Sequence, residues 1–189
     1  MAGNEQVTGG ILAGGRGRRM GGIDKGLAVH EGRELVAHMI ERLRPQVAGI
    51  LVSANRNLDR YRAFGYPVYA DERDDFAGPL AGIARLLEAC STGFLVTTPC
   101  DTPEFPDNLV QTLCARQQQT GADAVVVHDG EQRQFLFALY RRELAASAGV
   151  ALAAGERAVW RWQEQLNLAE ARIEGSAAAF ANLNTRADL

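Results

Sequence analysis

The residues of this chain that could do chemistry are concentrated in one glycine-rich, basic stretch near the N-terminus. Residues 11–26 read ILAGGRGRRMGGIDKG, with six glycines, three arginines and one lysine. Glycine lets backbone N–H groups approach a ligand without a Cβ in the way, and arginine and lysine neutralise phosphate charge. The stretch is therefore typical of an anion cradle, and its composition leaves a solvated basic loop as the alternative.

This stretch fits neither of two familiar phosphate-binding patterns. A P-loop needs Lys and then Ser or Thr after its last glycine, where Ile23 and Asp24 stand. A dinucleotide fingerprint needs a third glycine where Met20 stands. The residues thus predict an anion cradle of another kind.

A carboxylate is expected beside this cradle. Asp101 follows residues 94–98, an apolar run typical of a buried strand. A carboxylate would repel a phosphate ligand unless a cation lay between them, and Mg²⁺ binds one or two carboxylates together with substrate phosphates. Asp101 is accordingly a candidate magnesium ligand. Because DTPEF precedes a predicted helix, Asp101 is equally suited to capping that helix.

The elements that must position these groups alternate along the chain. Strands are predicted at residues 7–12, 49–54, 67–70, 94–98, 124–128 and 134–140. Helices are predicted at residues 35–43, 58–64, 79–90, 106–119, 143–154 and 158–168. This order predicts an α/β fold with a mainly parallel sheet, helices on both faces and one antiparallel strand from the closing hairpin. Since ligands bind beyond the carboxyl ends of parallel strands, the glycine-rich stretch, Asp71 and Asp101 should meet at one edge.

Length and composition bound the class of protein. The chain has 189 residues, which predicts one domain over 1–189, and a net charge of -3, which disfavours nucleic-acid binding. No apolar run reaches membrane-span length, and MAGNEQVTGG lacks the features of a signal peptide. The three cysteines form no C-x-x-C pair, so neither a disulfide framework nor a thiolate zinc site is indicated. We expect a cytoplasmic protein without nucleic-acid or membrane partners.

Four segments together resemble a known family. They are LAGGRGRRMGGIDKG, GPLAGI at residues 78–83, PCDTPEFP at 99–106 and NLNT at 182–185. In this order, and over nearly the whole chain, they are similar to the signature segments of the molybdenum cofactor guanylyltransferases. The resemblance implies a three-layer, Rossmann-like nucleotidyltransferase fold. It also implies transfer of GMP from GTP to molybdopterin that carries molybdenum, with Mg²⁺ as cofactor and pyrophosphate as second product. Acceptor molybdoenzymes or their chaperones are implied as further partners.

Carried over by position, the resemblance assigns three residues to catalysis. Lys25 would contact phosphate, Asp101 would bind Mg²⁺ and nucleotide, and Arg19 would face the charge that develops on the α-phosphate and pyrophosphate. The residues assigned to the guanine nucleotide are Leu12, Ala13, Gly14, Lys25, Ser53, Asp71 and Asp101.

The resemblance also assigns supporting positions around this site. Gly22, Gly78 and Gly82 would permit close backbone approach, and Asn182 and Asn184 would reach the pterin or metal side.

The sequence departs from the family pattern in two places. Ser53 stands where NANR would place Asn, and a hydroxyl lacks the two-ended geometry of an amide; Asn55 would share the same strand face. After HDGE, QRQF replaces an expected His-Pro or Gln-Pro pair. The departure at Ser53 keeps a cytidylyltransferase that uses CTP open as an alternative. The other alternative is a non-catalytic module that binds nucleotide or cofactor, which would not need Arg19, Lys25 and Asp101 together.

Overall fold

The structure is a computed structural model that describes residues 6–15, 24–71, 78–173 and 177–183. Its strands are β1 (Val7–Leu12), β2 (Val29–His30), β3 (Arg33–Glu34), β4 (Gly49–Ser53), β5 (Val68–Tyr69), β6 (Phe94–Pro99), β7 (Ala124–His128), β8 (Arg133–Arg141) and β9 (Leu168–Arg172). Its α-helices are α1 (Leu35–Leu43), α2 (Leu58–Arg62), α3 (Pro79–Ala89), α4 (Leu109–Thr120), α5 (Ala145–Ala153) and α6 (Val159–Gln163).

A seven-stranded sheet forms the centre of the molecule, in the order β5-β4-β1-β6-β8-β7-β9. β8 runs antiparallel to both of its neighbours, β6 and β7, and the other neighbouring strands pair in parallel. The sequence-based expectation of a mainly parallel sheet with one antiparallel strand is therefore confirmed. The parallel strands place the loops after β1, β4, β5 and β6 at one edge of the sheet.

Two glycines in β1, an interior strand, let helices pack closely on both faces of this sheet. A Cβ at Gly9 would lie 2.7 Å from Leu43 Cδ2 of α1, and a Cβ at Gly10 would lie 2.9 Å from Leu86 Cδ1 of α3. Since successive strand residues face opposite sides, one glycine serves each side. The sheet thus forms the middle layer of three.

The helices cover two separate apolar cores. Met39 of α1 and Leu113 of α4 belong to the cluster on one face. Leu87 of α3, Ala148 of α5 and Trp162 of α6 belong to the cluster on the other. Burial of these side chains holds the helices against the sheet, which positions the loops at its carboxyl edge.

One predicted helix is wrong in its second half. The helix expected over residues 158–168 ends at Gln163, and Leu168 begins β9, which pairs in parallel with β7. The segment LAEAR consists of residues that favour helices, so local propensity alone predicts a helix here. Pairing with β7 overrides that propensity. No helix in the part of the chain that the structure describes is long and apolar enough to cross a membrane.

A short hairpin was also not expected from the sequence. β2 and β3 pair antiparallel across Glu31 and Gly32, whose φ angles are 49° and 80°. Both lie in the left-handed region that tight two-residue hairpin turns require. With strands of two residues, the alternation is too short to recognise.

Candidate active site

A cleft of about 380 Å³ opens at the carboxyl edge of the sheet. Of the residues assigned to the nucleotide, catalysis or metal, all that the structure describes line it: Leu12, Ala13, Gly14, Lys25, Ser53, Asp71 and Asp101. Gly78, Gly82 and Asn182 line it as well. The expected convergence at one sheet edge is therefore what the structure shows. Arg19, Gly22 and Asn184 lie outside the described residues.

A close ion pair joins Lys25 and Asp101, two of the charged residues that line this cleft. Lys25 Nζ lies 2.5 Å from Asp101 Oδ2, and the two side chains are 20% and 16% exposed. Lys25 begins a short 3₁₀ turn at the end of the glycine-rich stretch, whereas Asp101 follows β6. A cation suited to phosphate and a carboxylate suited to a metal ion thus stand side by side.

The backbone just before Lys25 is anchored to α2. The Tyr61 hydroxyl donates to Asp24 Oδ1 at 2.5 Å, and Asn57 Nδ2 donates to Asp24 Oδ2 at 2.9 Å. Tyr61 is fully buried, and a Cβ at Gly26 would clash with its hydroxyl oxygen, so only glycine fits there. Burial, reinforced by the bond to Asp24, raises the pKa of Tyr61. Sequence reasoning gave Tyr61 no role, since nothing in the sequence pairs it with Asp24.

Ser53 lines the cleft but is almost completely buried. It is 2% exposed, and a Cβ at Gly82 would lie only 2.6 Å from its Oγ. The close approach expected at Gly82 therefore includes one to a side chain of the protein itself. A longer side chain at either position would need its neighbour to move.

An amide network ties the loops after β1, β4 and β5 together. Asn55 Nδ2 donates to Asp71 Oδ2 at 2.7 Å, and the Asp71 N–H donates to Asn55 Oδ1 at 2.8 Å. Asn55 Nδ2 also lies 3.4 Å from the carbonyl oxygen of Gly14. The sequence placed Asn55 on the same strand face as Ser53, but it did not reveal the contact with Asp71.

Cys100 lines the cleft beside Asp101, where it is a buried packing residue. It is 6% exposed, and its backbone N–H donates to the Leu12 carbonyl. Burial, together with the negative charge of Asp101, raises the pKa of its thiol. A thiol that stays protonated is a poor nucleophile.

The C-terminal segment closes the cleft around Asp101. The Leu183 N–H donates to the Asp101 carbonyl at 2.9 Å. The hydroxyl of Thr102, which is fully buried, donates to Asn182 Oδ1 at 2.7 Å. The alternative role of Asp101 as a helix cap is not what the structure shows, because α4 begins at Leu109 and Asn108 occupies the N-cap position.

Comparison with known proteins identifies the family. The model of the MobA-like NTP transferase domain matches residues 9–170. This chain belongs to that family. It is a nucleotidyltransferase, as the four sequence segments predicted.

Similar proteins extend over almost the full chain. A protein of Bordetella petrii named molybdenum cofactor guanylyltransferase is 47% identical, over 97% of this chain and 95% of its own length. A protein of Cupriavidus necator with the same name is 44% identical, over 100% of this chain and 97% of its own. The predicted family of this MobA-like NTP transferase is thereby confirmed.

Solved structures share the fold of this MobA-like NTP transferase. The molybdopterin-guanine dinucleotide biosynthesis protein A of Archaeoglobus fulgidus superposes with a TM-score of 0.78 at 22% identity, covering 96% of this chain and 94% of its own. The 2-C-methyl-D-erythritol 4-phosphate cytidylyltransferase of Thermus thermophilus gives 0.70 at 18% identity, covering 95% and 93%. The predicted three-layer nucleotidyltransferase fold is confirmed.

Proposed function

We propose that this enzyme transfers GMP from GTP to molybdopterin that carries molybdenum, giving the guanine dinucleotide form of the cofactor and pyrophosphate. One observation carries the proposal: the cleft brings Lys25 and Asp101 into contact beside Leu12, Ala13 and Gly14. The relatives named as guanylyltransferases support guanine as the base.

The proposed step is an in-line displacement at phosphorus. An oxygen of the acceptor's terminal phosphate attacks the α-phosphorus of GTP and forms a new P–O bond. The bond from the α-phosphorus to the bridging oxygen breaks, and pyrophosphate leaves with that electron pair. Because the nucleophile is already anionic, the protein need supply neither a covalent residue nor a strong base; it supplies position and positive charge.

Lys25 and Arg19 supply that charge in the proposed reaction. The Lys25 ammonium in the cleft would bind phosphate oxygens of the leaving group. Arg19 is assigned to the α-phosphate and pyrophosphate by the family pattern alone. Leu12, Ala13, Gly14, Ser53 and Asp71 would hold the nucleoside and place the α-phosphorus before the acceptor.

Asp101 is the residue proposed to hold Mg²⁺. Among the described residues no cluster of three or more metal-ligating His, Cys, Asp or Glu side chains exists. The carboxylate of Asp101 fits Mg²⁺, which binds through one or two carboxylates and otherwise through phosphates and water. When bound, Mg²⁺ would neutralise phosphate charge that otherwise keeps the two substrates apart.

The setting of the reaction is part of the proposal. We place the enzyme in the cytoplasm, which its free Cys90, Cys100 and Cys114 support. Residues 1–189 would form a single nucleotidyltransferase domain, since the sheet runs from Val7 to Arg172. Acceptor molybdoenzymes or their chaperones would receive the product.

Calorimetric titration with GTP, CTP and ATP, each with and without Mg²⁺, tests the proposal. We expect GTP to bind most tightly and Mg²⁺ to strengthen binding. Release of pyrophosphate from GTP should then require the molybdenum-loaded pterin. Preference for CTP would assign cytidylyl transfer instead, and pyrophosphate release without the pterin would contradict the proposed acceptor.

A further inference from the structure

Both ends of the Asn55 side-chain amide form hydrogen bonds with Asp71. Its Nδ2 donates to the carboxylate at 2.7 Å, and its Oδ1 accepts the backbone N–H at 2.8 Å. The backbone N–H can only donate, so it fixes which end of the amide faces the carboxylate. The pair therefore holds both the main chain and the side chain of Asp71.

The same amide packs against the floor of the cleft. A Cβ on Gly14 would lie 3.0 Å from Asn55 Nδ2, and the Gly14 carbonyl oxygen is 3.4 Å from that nitrogen. Ser53, by contrast, is 2% exposed and faces Gly82. The side-chain amide that contacts Gly14 is therefore that of Asn55, two residues beyond Ser53.

A carboxylate held in one orientation can distinguish nucleobases. An ionised carboxylate only accepts hydrogen bonds. The Watson–Crick edge of guanine offers two adjacent donors, N1–H and the 2-amino group, whereas that of cytosine offers one donor and two acceptors. A fixed Asp71 would pair with both guanine donors and repel the acceptors of cytosine; a carboxylate free to rotate would lose that discrimination.

We propose that Asn55 is a positioning residue that makes the site selective for guanine by fixing the orientation of the Asp71 carboxylate. This inference rests on the proposed guanylyl transfer. Asn55 acts through Asp71 and need not touch the nucleotide itself.

The test compares GTP with ITP, which lacks only the 2-amino group, by calorimetry in the presence of Mg²⁺. The full-length protein and Asn55→Ala are measured, with Asn108→Ala as control, since Asn108 is exposed and its side chain makes no cap bond on α4. We expect Asn55→Ala to reduce the GTP-to-ITP affinity ratio about tenfold, the effect of one hydrogen bond to a charged group. Asn108→Ala should keep the wild-type ratio.

A double-mutant cycle identifies the route of the effect. In an Asp71→Ala background, Asn55→Ala should change the GTP-to-ITP ratio little, because the group that it positions is gone. If Asn55→Ala unfolds the protein, as circular dichroism would show, Asn55→Ser gives the same comparison with a smaller loss of packing.

The outcomes separate this inference from the proposed function. If Asn55→Ala weakens GTP and ITP by the same factor, Asn55 is merely structural and the inference is overturned, while guanylyl transfer stands. If the wild-type protein binds GTP but does not prefer it to ITP, the inference is again overturned alone. If the wild-type protein prefers CTP, guanylyl transfer fails and the inference fails with it.

Discussion

The ammonium nitrogen of Lys25 lies 2.5 Å from a carboxylate oxygen of Asp101, although these two residues follow different strands of the sheet. In the proposed reaction the two groups have different partners: Lys25 binds phosphate and Asp101 binds a metal ion. Binding of a nucleotide with its magnesium would therefore separate the pair. Until the substrate binds, the charges of Lys25 and Asp101 neutralise each other.

Asp101→Asn should nearly abolish turnover and leave the fold intact. The amide is a weak metal ligand without charge, and loss of one such electrostatic contact costs on the order of a hundredfold or more in rate. The pair is partly exposed, so the free energy of unfolding should change by about 1 kcal/mol or less. Pyrophosphate release and thermal unfolding measure the two effects.

Glu104→Gln is the matched control for this substitution, since Glu104 lies on the same segment and its side chain is 70% exposed. It should retain ordinary turnover. The exchange Lys25→Asp with Asp101→Lys can restore an ion pair but puts each charge in the wrong place, so it should stay inactive. Activity in Asp101→Asn would exclude the metal-ligand role.

Tyr61→Phe should loosen the backbone that carries Lys25. The change removes the partly buried hydrogen bond to Asp24 Oδ1 and leaves the exposed bond from Asn57 to Asp24 Oδ2 in place. We expect the free energy of unfolding to fall by about 1–3 kcal/mol, the cost of removing one partner from a buried bond. The rate of pyrophosphate release should fall several-fold as well.

Tyr66 is a half-buried tyrosine beyond α2. Tyr66→Phe is therefore the control, because it removes a hydroxyl elsewhere in the protein. Chemical denaturation and single-turnover kinetics on both variants check the prediction. Equal effects from the two substitutions would show that the contact with Asp24 has no special weight.

Gly82→Ala should destabilise the protein and narrow the cleft. The new Cβ would lie 2.6 Å from Ser53 Oγ and 3.3 Å from Leu12 Cδ2, so the buried serine must move. Overpacking of this kind typically costs about 1–3 kcal/mol. Ser53→Ala removes the clashing oxygen, so the double variant should recover part of the loss in melting temperature.

Gly149→Ala supplies the control, since Gly149 also lies in a helix and a Cβ there would meet nothing within 4 Å. It should stabilise the protein slightly, because alanine favours helices over glycine. If Ser53→Ala brings no recovery in the Gly82→Ala background, the contact with Leu12 or a backbone shift is the cause.

Alkaline pH should destabilise the protein through buried acids that stay neutral in the fold. Burial, and next the carboxylate of Asp24, raise the pKa of Tyr61 above its ordinary value of 10.0. Burial, and next the carboxylate of Asp101, raise the pKa of Cys100 above its ordinary value of 9.0. Unfolding lets both ionise, so the contribution of Cys100 is complete below pH 9.0 and that of Tyr61 below pH 10.0, and each is lost as pH rises above its limit. Each group should steepen the fall by about 1.4 kcal/mol per pH unit.

Urea unfolding between pH 7 and pH 11 measures this fall. Tyr61→Phe and Cys100→Ala should each make it shallower, since each removes one ionisable group. A slope that neither variant changes would contradict the assignment.

Much of the fold and the place of the site could be predicted from the sequence. The bounds of β1, α1 and β7 agree with the predicted ones, since these segments have clear apolar patterns. The rule that ligands bind at the carboxyl edge of parallel strands predicts that the glycine-rich stretch meets Asp71 and Asp101. In the structure, residues 12–15 and Lys25 of that stretch line one cleft together with both aspartates.

The features that could not be predicted depend on contacts between residues far apart in the sequence. Nothing in the sequence indicates that Tyr61 meets Asp24 or that Asn55 meets Asp71, because each pair forms only when separate elements have packed. β9 was missed for a related reason: its residues favour a helix, and its pairing with β7 is a property of the whole sheet.

The hydrogen bond from the Leu183 N–H to the Asp101 carbonyl has a consequence for synthesis of the protein on the ribosome. The strands that carry the glycine-rich stretch and Asp101 leave the ribosome early and can pair while translation continues. The bond that fixes the Asp101 peptide must wait until residue 183 has emerged. A prematurely terminated chain would therefore lack the contact that holds the Asp101 peptide in place.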